Sequence, residues 1–171
     1  MGVSGSGKTT LAHSLSDALQ LRMKDGDELH LPESVAKMSA GIALQDEDRW
    51  PWLDRIADYL TGSGDPTGTG GIVACSALKR AYRDRIREQA GDVCFVFLDG
   101  DFELIQKRMH QRVGHYMQPG LLDSQFFALE KPQADETDVI RLPITEPVQD
   151  MVAQALAALQ ARTSSPLHPA L

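Results

Sequence analysis

The chain has 171 residues, 42% hydrophobic and 24% charged, which suits a single globular domain with a substantial core. Its net charge of −7 argues against a general nucleic-acid binder. No apolar run is long enough to span a membrane and no secretory signal is present. Cys75 and Cys94 sit in apolar runs as small core residues, so a reducing, cytoplasmic setting is expected.

The chain opens with Gly2-Val3-Ser4-Gly5-Ser6-Gly7-Lys8-Thr9, which fills the pattern G-x-x-x-x-G-K-[ST] at every fixed position. Glycines let such a loop turn its N–H groups toward an anion. Lys8 can reach the β- and γ-phosphates, and the Thr9 hydroxyl can ligate Mg²⁺. The following helix adds its positive N-terminal end, so Gly2 to Thr10, with Thr10 in the first turn, is the expected nucleotide segment. ATP and Mg²⁺ are the cofactors this implies. A hydrophobic strand normally runs into such a loop. Met1 already stands at the loop's edge, so either the chain is truncated, or its true start lies upstream, or the sheet manages without that first strand. A chain starting at Met1 is therefore expected to fold less stably than one extended by such a strand.

Leu11, Leu15, Ala18 and Leu19 recur at helical spacing and predict a helix over 8–20. A short strand edge ends at Lys24-Asp25-Gly26-Asp27. Helices follow over 33–40 and 46–61, the second with Asp46 or Asp48 as a cap and Pro51 in its first turns. The Gly-rich stretch 61–71 lacks a Gly-Lys pair and reads as a connection. Ile72–Cys75 and Cys94–Leu98 are buried parallel strands by composition, and Val139–Leu142 is a weaker one. Helices are predicted over 78–89, 101–113 and 146–161, and 163–171 reads as a flexible tail. Strands alternating with helices predict a doubly wound parallel α/β sheet of the P-loop NTPase type, helices on both faces, in one domain over 1–162. Ligands in such sheets gather at the carboxyl ends of the strands. That brings Asp25 and Asp27, Ser76 to Arg83, and Asp99 to Asp101 together.

Phosphoryl transfer needs charge neutralisation and a positioned acceptor. Lys8 serves the first need. Of Asp25 and Asp27, one carboxylate can serve the metal and the other the acceptor hydroxyl; Asp27 is assigned to the hydroxyl and Asp25 to the metal with Thr9. Arg49, Lys79, Arg80 and Arg83 are candidates for a substrate carboxylate, against the alternative of a solvated helix face, which is the reading preferred for Arg85 and Arg87. His30 is either a packing residue or a substrate contact. Arg108 and Arg112 share a helix face ahead of Gly114-His115, as a nucleotide lid over about 108–125 would require. Asp99 at a strand end is a lesser metal candidate.

Taken in order, these segments resemble the gluconokinase family. The likeness is carried by Gly2 to Thr9, Asp25-Gly26-Asp27 with Leu29-His30, Lys37-Met38 with Gly41, and Asp46-x-Asp48-Arg49 with Pro51-Trp52-Leu53. It continues through Cys75-Ser76-Ala77-Leu78-Lys79 with Tyr82-Arg83-Asp84, Gly114-His115-Tyr116-Met117, and Ser124-Gln125-Phe126 with Leu129-Glu130. It covers roughly residues 1–150. It implies a fold similar to shikimate kinase and the nucleoside monophosphate kinases, and ATP-dependent phosphorylation of D-gluconate at the C6 hydroxyl. It implies Lys8, Asp27 and Arg112 as catalytic residues, and Arg108 with Gly2 to Thr10 at the nucleotide. Asp27, His30, Arg49, Ser76, Lys79, Arg83 and His115 fall to the substrate. A homodimer is an assembly common in the family. Three departures stand out: the missing first strand, Leu31 between His30 and Pro32, and Ser34 in place of the usual Asn. The rival readings are a shikimate kinase-like enzyme and a nucleotide-binding homologue without turnover.

Overall fold

The computed structural model describes residues 1–63, 65, 67–111 and 120–164, with side chains to Arg162. Strand β1 (Arg22–Asp25) pairs in parallel with β2 (Gly71–Ala74), and β3 (Phe95–Asp99) pairs in parallel with β4 (Val139–Pro143). Among the described residues, seven α-helices surround them: α1 (Lys8–Leu19), α2 (Pro32–Ser39), α3 (Asp46–Thr61), α4 (Arg80–Ala90), α5 (Phe102–Gln111), α6 (Leu121–Ala128) and α7 (Val148–Ser164). No helix among the described residues is long and apolar enough to cross a membrane.

Neighbouring residues of one strand point to opposite faces of a sheet. Here Ile72, Val96 and Ile140 pack into one core cluster with Leu11, Leu15, Met151 and Ala155 of α1 and α7. Their neighbours Val73, Phe95 and Val139 pack into a second cluster with Trp52, Leu53, Ile56 and Ile86 of α3 and α4. The strands are thus covered on both faces, as a doubly wound arrangement requires.

Helix α3 follows the predicted 46–61 at both ends, but the residue before it, Gln45, is its cap. The Asp48 carboxylate accepts the Gln45 N–H at 3.0 Å, closing a capping box from inside the first turn. Helix α6 is not foreseen by the sequence, which puts residues 121–125 in a lid and assigns no element to 126–128. Helix α7 continues to Ser164, past the predicted start of the tail at 163.

No strand precedes α1 among the described residues. Met1 and Gly2 instead occupy one end of the gap between β2 and β3. Met1 donates to the Val96 carbonyl and accepts the Leu98 N–H at 3.0 Å, and the Gly2 N–H donates to the Ser76 carbonyl at 3.1 Å. Toward β3 that is the bonding of a parallel strand, and the bond to Ser76 ties the same segment to the end of β2. Behind it lies a mainly apolar cavity of about 240 Å³, lined by Leu15, Ile56, Val73, Phe95, Val96 and Leu159 among others.

Candidate active site

The phosphate loop leads straight into α1. Gly7 caps the helix at φ +98°, in the left-handed region, and its carbonyl accepts the Leu11 N–H at 3.0 Å. Gly5 sits at φ +80°, where a Cβ would lie 2.5 Å from Met109 Cγ. Lys8 Nζ spans the loop to the Val3 carbonyl at 3.0 Å. Ser6 Oγ is buried without a hydrogen-bond partner. A loop with this curvature and a spare hydroxyl fits an anion as ligand.

Thr9 Oγ1 donates to Asp25 Oδ2 at 3.2 Å, which joins the two residues expected at the metal. No group of three or more His, Cys, Asp or Glu among the described residues could cage a cation. The pair suits Mg²⁺, which keeps waters and shares substrate phosphates rather than filling an all-protein shell. The other Asp25 oxygen accepts the Asp27 N–H at 3.1 Å and caps the 3₁₀ turn Gly26–Leu29. Trp52 Nε1 pins this turn from below by donating to the Gly26 carbonyl at 2.7 Å. A Cβ on Gly26 would approach Cys75 Cβ to 2.8 Å, so glycine permits the close packing. Asp27 is left exposed at the tip, its carboxylate making no hydrogen bond with the described residues.

Asp27 opens onto a cavity of about 590 Å³. Its walls include His30, Arg49, Trp52, Ser76, Lys79 and Tyr82, with Ser124 and Gln125 from α6. His30 stacks flat on Trp52, ring centroids 4.5 Å apart. Burial lowers its pKa, with Arg49 assisting and Asp27 opposing, so the imidazole is neutral at pH 7. It can donate or accept one hydrogen bond without competing for the anion's charge. Lys79 Nζ lies 2.8 Å from both Asp46 oxygens, and the Tyr82 hydroxyl donates to Asp46 at 2.6 Å. The hydrogen bond to Asp46 raises the Lys79 pKa, and the bonds from Lys79 and Tyr82 lower that of Asp46. Arg49 donates through Nη1 to the Leu44 carbonyl at 2.7 Å and to Tyr82 at 3.3 Å. Its remaining guanidinium edge makes no hydrogen bond with the described residues.

Arg83 does not join this site, contrary to the sequence reading. It is 1% exposed and its guanidinium is clasped by both Glu136 oxygens at 2.7 Å. Its remaining Nη1 donates to the Ala77 and Leu78 carbonyls at 3.3 and 3.2 Å. Arg80 turns to Asp135 at 2.7 Å. Arg85 pairs with Asp54, and Arg87 reaches Asp84, Glu136 and Asp138. The charged face of α4 is therefore a partly exposed ion-pair lattice. Asp99 pairs with Lys131 at 2.8 Å and Arg141 at 3.5 Å. Arg108 bonds the Ile144 carbonyl at 2.5 Å, just past β4. Arg112 and His115 lie outside the described residues. The sequence reading gave no site role to Asp46, Trp52, Tyr82 or Gln125. All four stood in motifs quoted for the family likeness, which was the available signal.

A phosphate loop, a Thr–Asp pair and an adjoining acceptor cavity at the strand ends define a P-loop kinase. A family model described as shikimate kinase matches residues 4–159. The thermosensitive gluconokinase of Escherichia coli K12 is 47% identical over 161 residues, covering 94% of this chain and 86% of the relative. The crystal structure of a gluconokinase from Sinorhizobium meliloti 1021 superposes with a TM-score of 0.83 at 43% identity, over 96% of this chain and 90% of that one. An unliganded sugar kinase from Janibacter sp. HTCC2649 gives 0.83 at 46%, over 94% and 91%. The chain belongs to the gluconokinase family, within the broader shikimate kinase group.

Proposed function

We propose that this kinase transfers the γ-phosphoryl group of ATP to the C6 hydroxyl of D-gluconate. The observation that carries the reading is one cavity with two chemical ends. Arg49 and Lys79 offer cationic donors suited to a carboxylate, and Asp27 offers an unengaged carboxylate suited to a hydroxyl. The printed names of the relatives, gluconokinases over nearly the whole chain, support the choice of acid.

In this reading the Gly5 to Thr9 N–H groups and Lys8 bind the phosphates, and Lys8 follows the charge that builds on the transferring group. Mg²⁺, held through Thr9 Oγ1 with Asp25 beside it, would neutralise phosphate charge. Asp27 accepts the hydroxyl proton or orients the hydroxyl for in-line attack. His30, held against Trp52, and Ser76 bond the polyol hydroxyls. Arg49 uses its unengaged edge for the substrate carboxylate, and Asp46 holds Lys79 beside it. Arg108 and Arg112 complete the nucleotide side, and His115 falls to the substrate.

The test is direct. Purified protein with ATP and Mg²⁺ should release ADP with D-gluconate, and far less with shikimate or a nucleoside monophosphate. Equal or greater turnover with shikimate would refute the assignment.

A further inference from the structure

The Ser124-Gln125-Phe126 segment has no part in the chemistry above, yet its helix touches both halves of the site. Gln125 Oε1 accepts the Ser4 N–H at 2.6 Å, and Gln125 Nε2 donates to Ser4 Oγ at 3.0 Å. One side-chain amide thus clasps the phosphate loop at two points, 121 residues away in sequence. The same helix walls the acceptor cavity through Leu121, Ser124, Gln125 and Ala128. Its far end is fixed to the acceptor side: the Glu130 N–H donates to the Leu78 carbonyl at 2.9 Å, and Glu130 Oε2 accepts the Arg80 N–H at 2.6 Å. Leu122, 2% exposed, seats it in the core.

We infer that Gln125 is a positioning residue that sets the acceptor wall in register with the phosphate loop. The inference rests on the kinase reading above and deepens it. Donor phosphates are held by one element and the acceptor by several others. In-line transfer demands that they meet within a fraction of an ångström, and a misplacement of about 1 Å can cost on the order of 100-fold in rate. The amide suits the task chemically. It accepts from an N–H and donates to a hydroxyl at once, and it carries no charge beside a loop that receives a polyanion. A carboxylate of the same length could accept from both Ser4 groups but would repel the phosphates. Nucleotide held in the loop should, through this clasp, also steady α6. Coupling of this kind is reciprocal between the two ligand sites.

Two variants separate positioning from mere structural support. Gln125→Met keeps the length and removes both bonds. It should lower kcat with gluconate at least tenfold, while the Kd of a non-hydrolysable ATP analogue and the melting temperature stay within about threefold and a few degrees. Gln125→Glu should melt like the parent and bind the analogue at least tenfold more weakly. Backbone hydrogen exchange over residues 121–129 should slow when the analogue binds the parent protein, and not when it binds Gln125→Met. Equal protection in both proteins overturns the inference. So does a Gln125→Met kcat within threefold of the parent, or one that falls only in step with analogue binding. A parent protein inactive on gluconate would refute the substrate reading instead, and the exchange comparison alone would then decide the role of Gln125.

Discussion

Replacing Glu136 by Gln should destabilise the protein strongly, although Glu136 lies outside the substrate cavity. Glu136 is 6% exposed and accepts from Arg83 Nε and Nη2, Arg87 Nη2 and the Gln133 N–H. The amide keeps the shape, cannot satisfy two guanidinium groups, and leaves the Arg83 charge buried and unpaired. Breaking a buried pair from one side costs about 3–5 kcal/mol. The hydrogen bond from Arg83 is the main cause that lowers the Glu136 pKa from 4.5 to about 2, with help from Arg87. By linkage that shift is worth about 3 kcal/mol, so both routes agree. An unfolding entropy of about 2.1 cal/mol/K per residue gives about 0.36 kcal/mol/K for a chain of this length, and the melting temperature should fall by about 8–14 °C at pH 7. The sign with pH follows from the lowered pKa. The stabilisation is whole above the unfolded value of 4.5 and is lost as pH falls through about 2. The gap between parent and variant in thermal melts should therefore hold from pH 7 to pH 5 and narrow below that. Arg83→Met with Glu136→Leu should recover part of the loss, because apolar residues replace the buried pair at little cost while the Ala77 and Leu78 carbonyls and the Gln133 N–H lose partners. A drop under about 3 °C, or a double variant no better than Glu136→Gln alone, would refute this account of Arg83.

Other outcomes can be read from kinetics and melts. Lys8→Ala should lower kcat at least 100-fold, because its charge acts most on the transferring phosphoryl group; steady-state ADP release measures it. Asp27→Asn should lower kcat at least tenfold with ATP affinity kept within threefold, and a kcat within threefold of the parent would remove Asp27 from the hydroxyl. Lys79→Met should raise KM for gluconate more than it lowers kcat, since it removes charge from the carboxylate end alone. Five β-branched residues placed ahead of Met1 should extend along β2 and β3 into the 240 Å³ cavity and raise the melting temperature by more than 5 °C, where five Gly/Ser residues should not.

How far the sequence could be read depended on how local the signal was. The 46–61 helix was legible at both ends because an acidic first turn opens it and Gly62, in the left-handed region at φ +74°, closes it. The phosphate loop was legible because its chemistry is written in eight consecutive residues. Helix α6 was not. Its eight residues, Leu-Leu-Asp-Ser-Gln-Phe-Phe-Ala, place apolar groups all round, with Leu122 buried and Phe127 96% exposed, so no stripe announced it.

Arg49 and Arg83 show where residue chemistry stops discriminating. Both are arginines near the strand ends, both fall in quoted motifs, and each suits a carboxylate in bidentate geometry. What separates them is which carboxylate arrives. Arg83 meets Glu136, 53 residues on, in an irregular segment whose fold no periodicity foretells. Arg49, which lines the cavity, spends one nitrogen on a carbonyl, a phenol and a longer ion pair with Asp46 at 3.7 Å, and its other edge makes no hydrogen bond with the described residues. In the proposed reading a cation serves the substrate where the protein's own acids leave some of its donors unused. That property belongs to the long-range pairing of the fold, and local spacing cannot carry it.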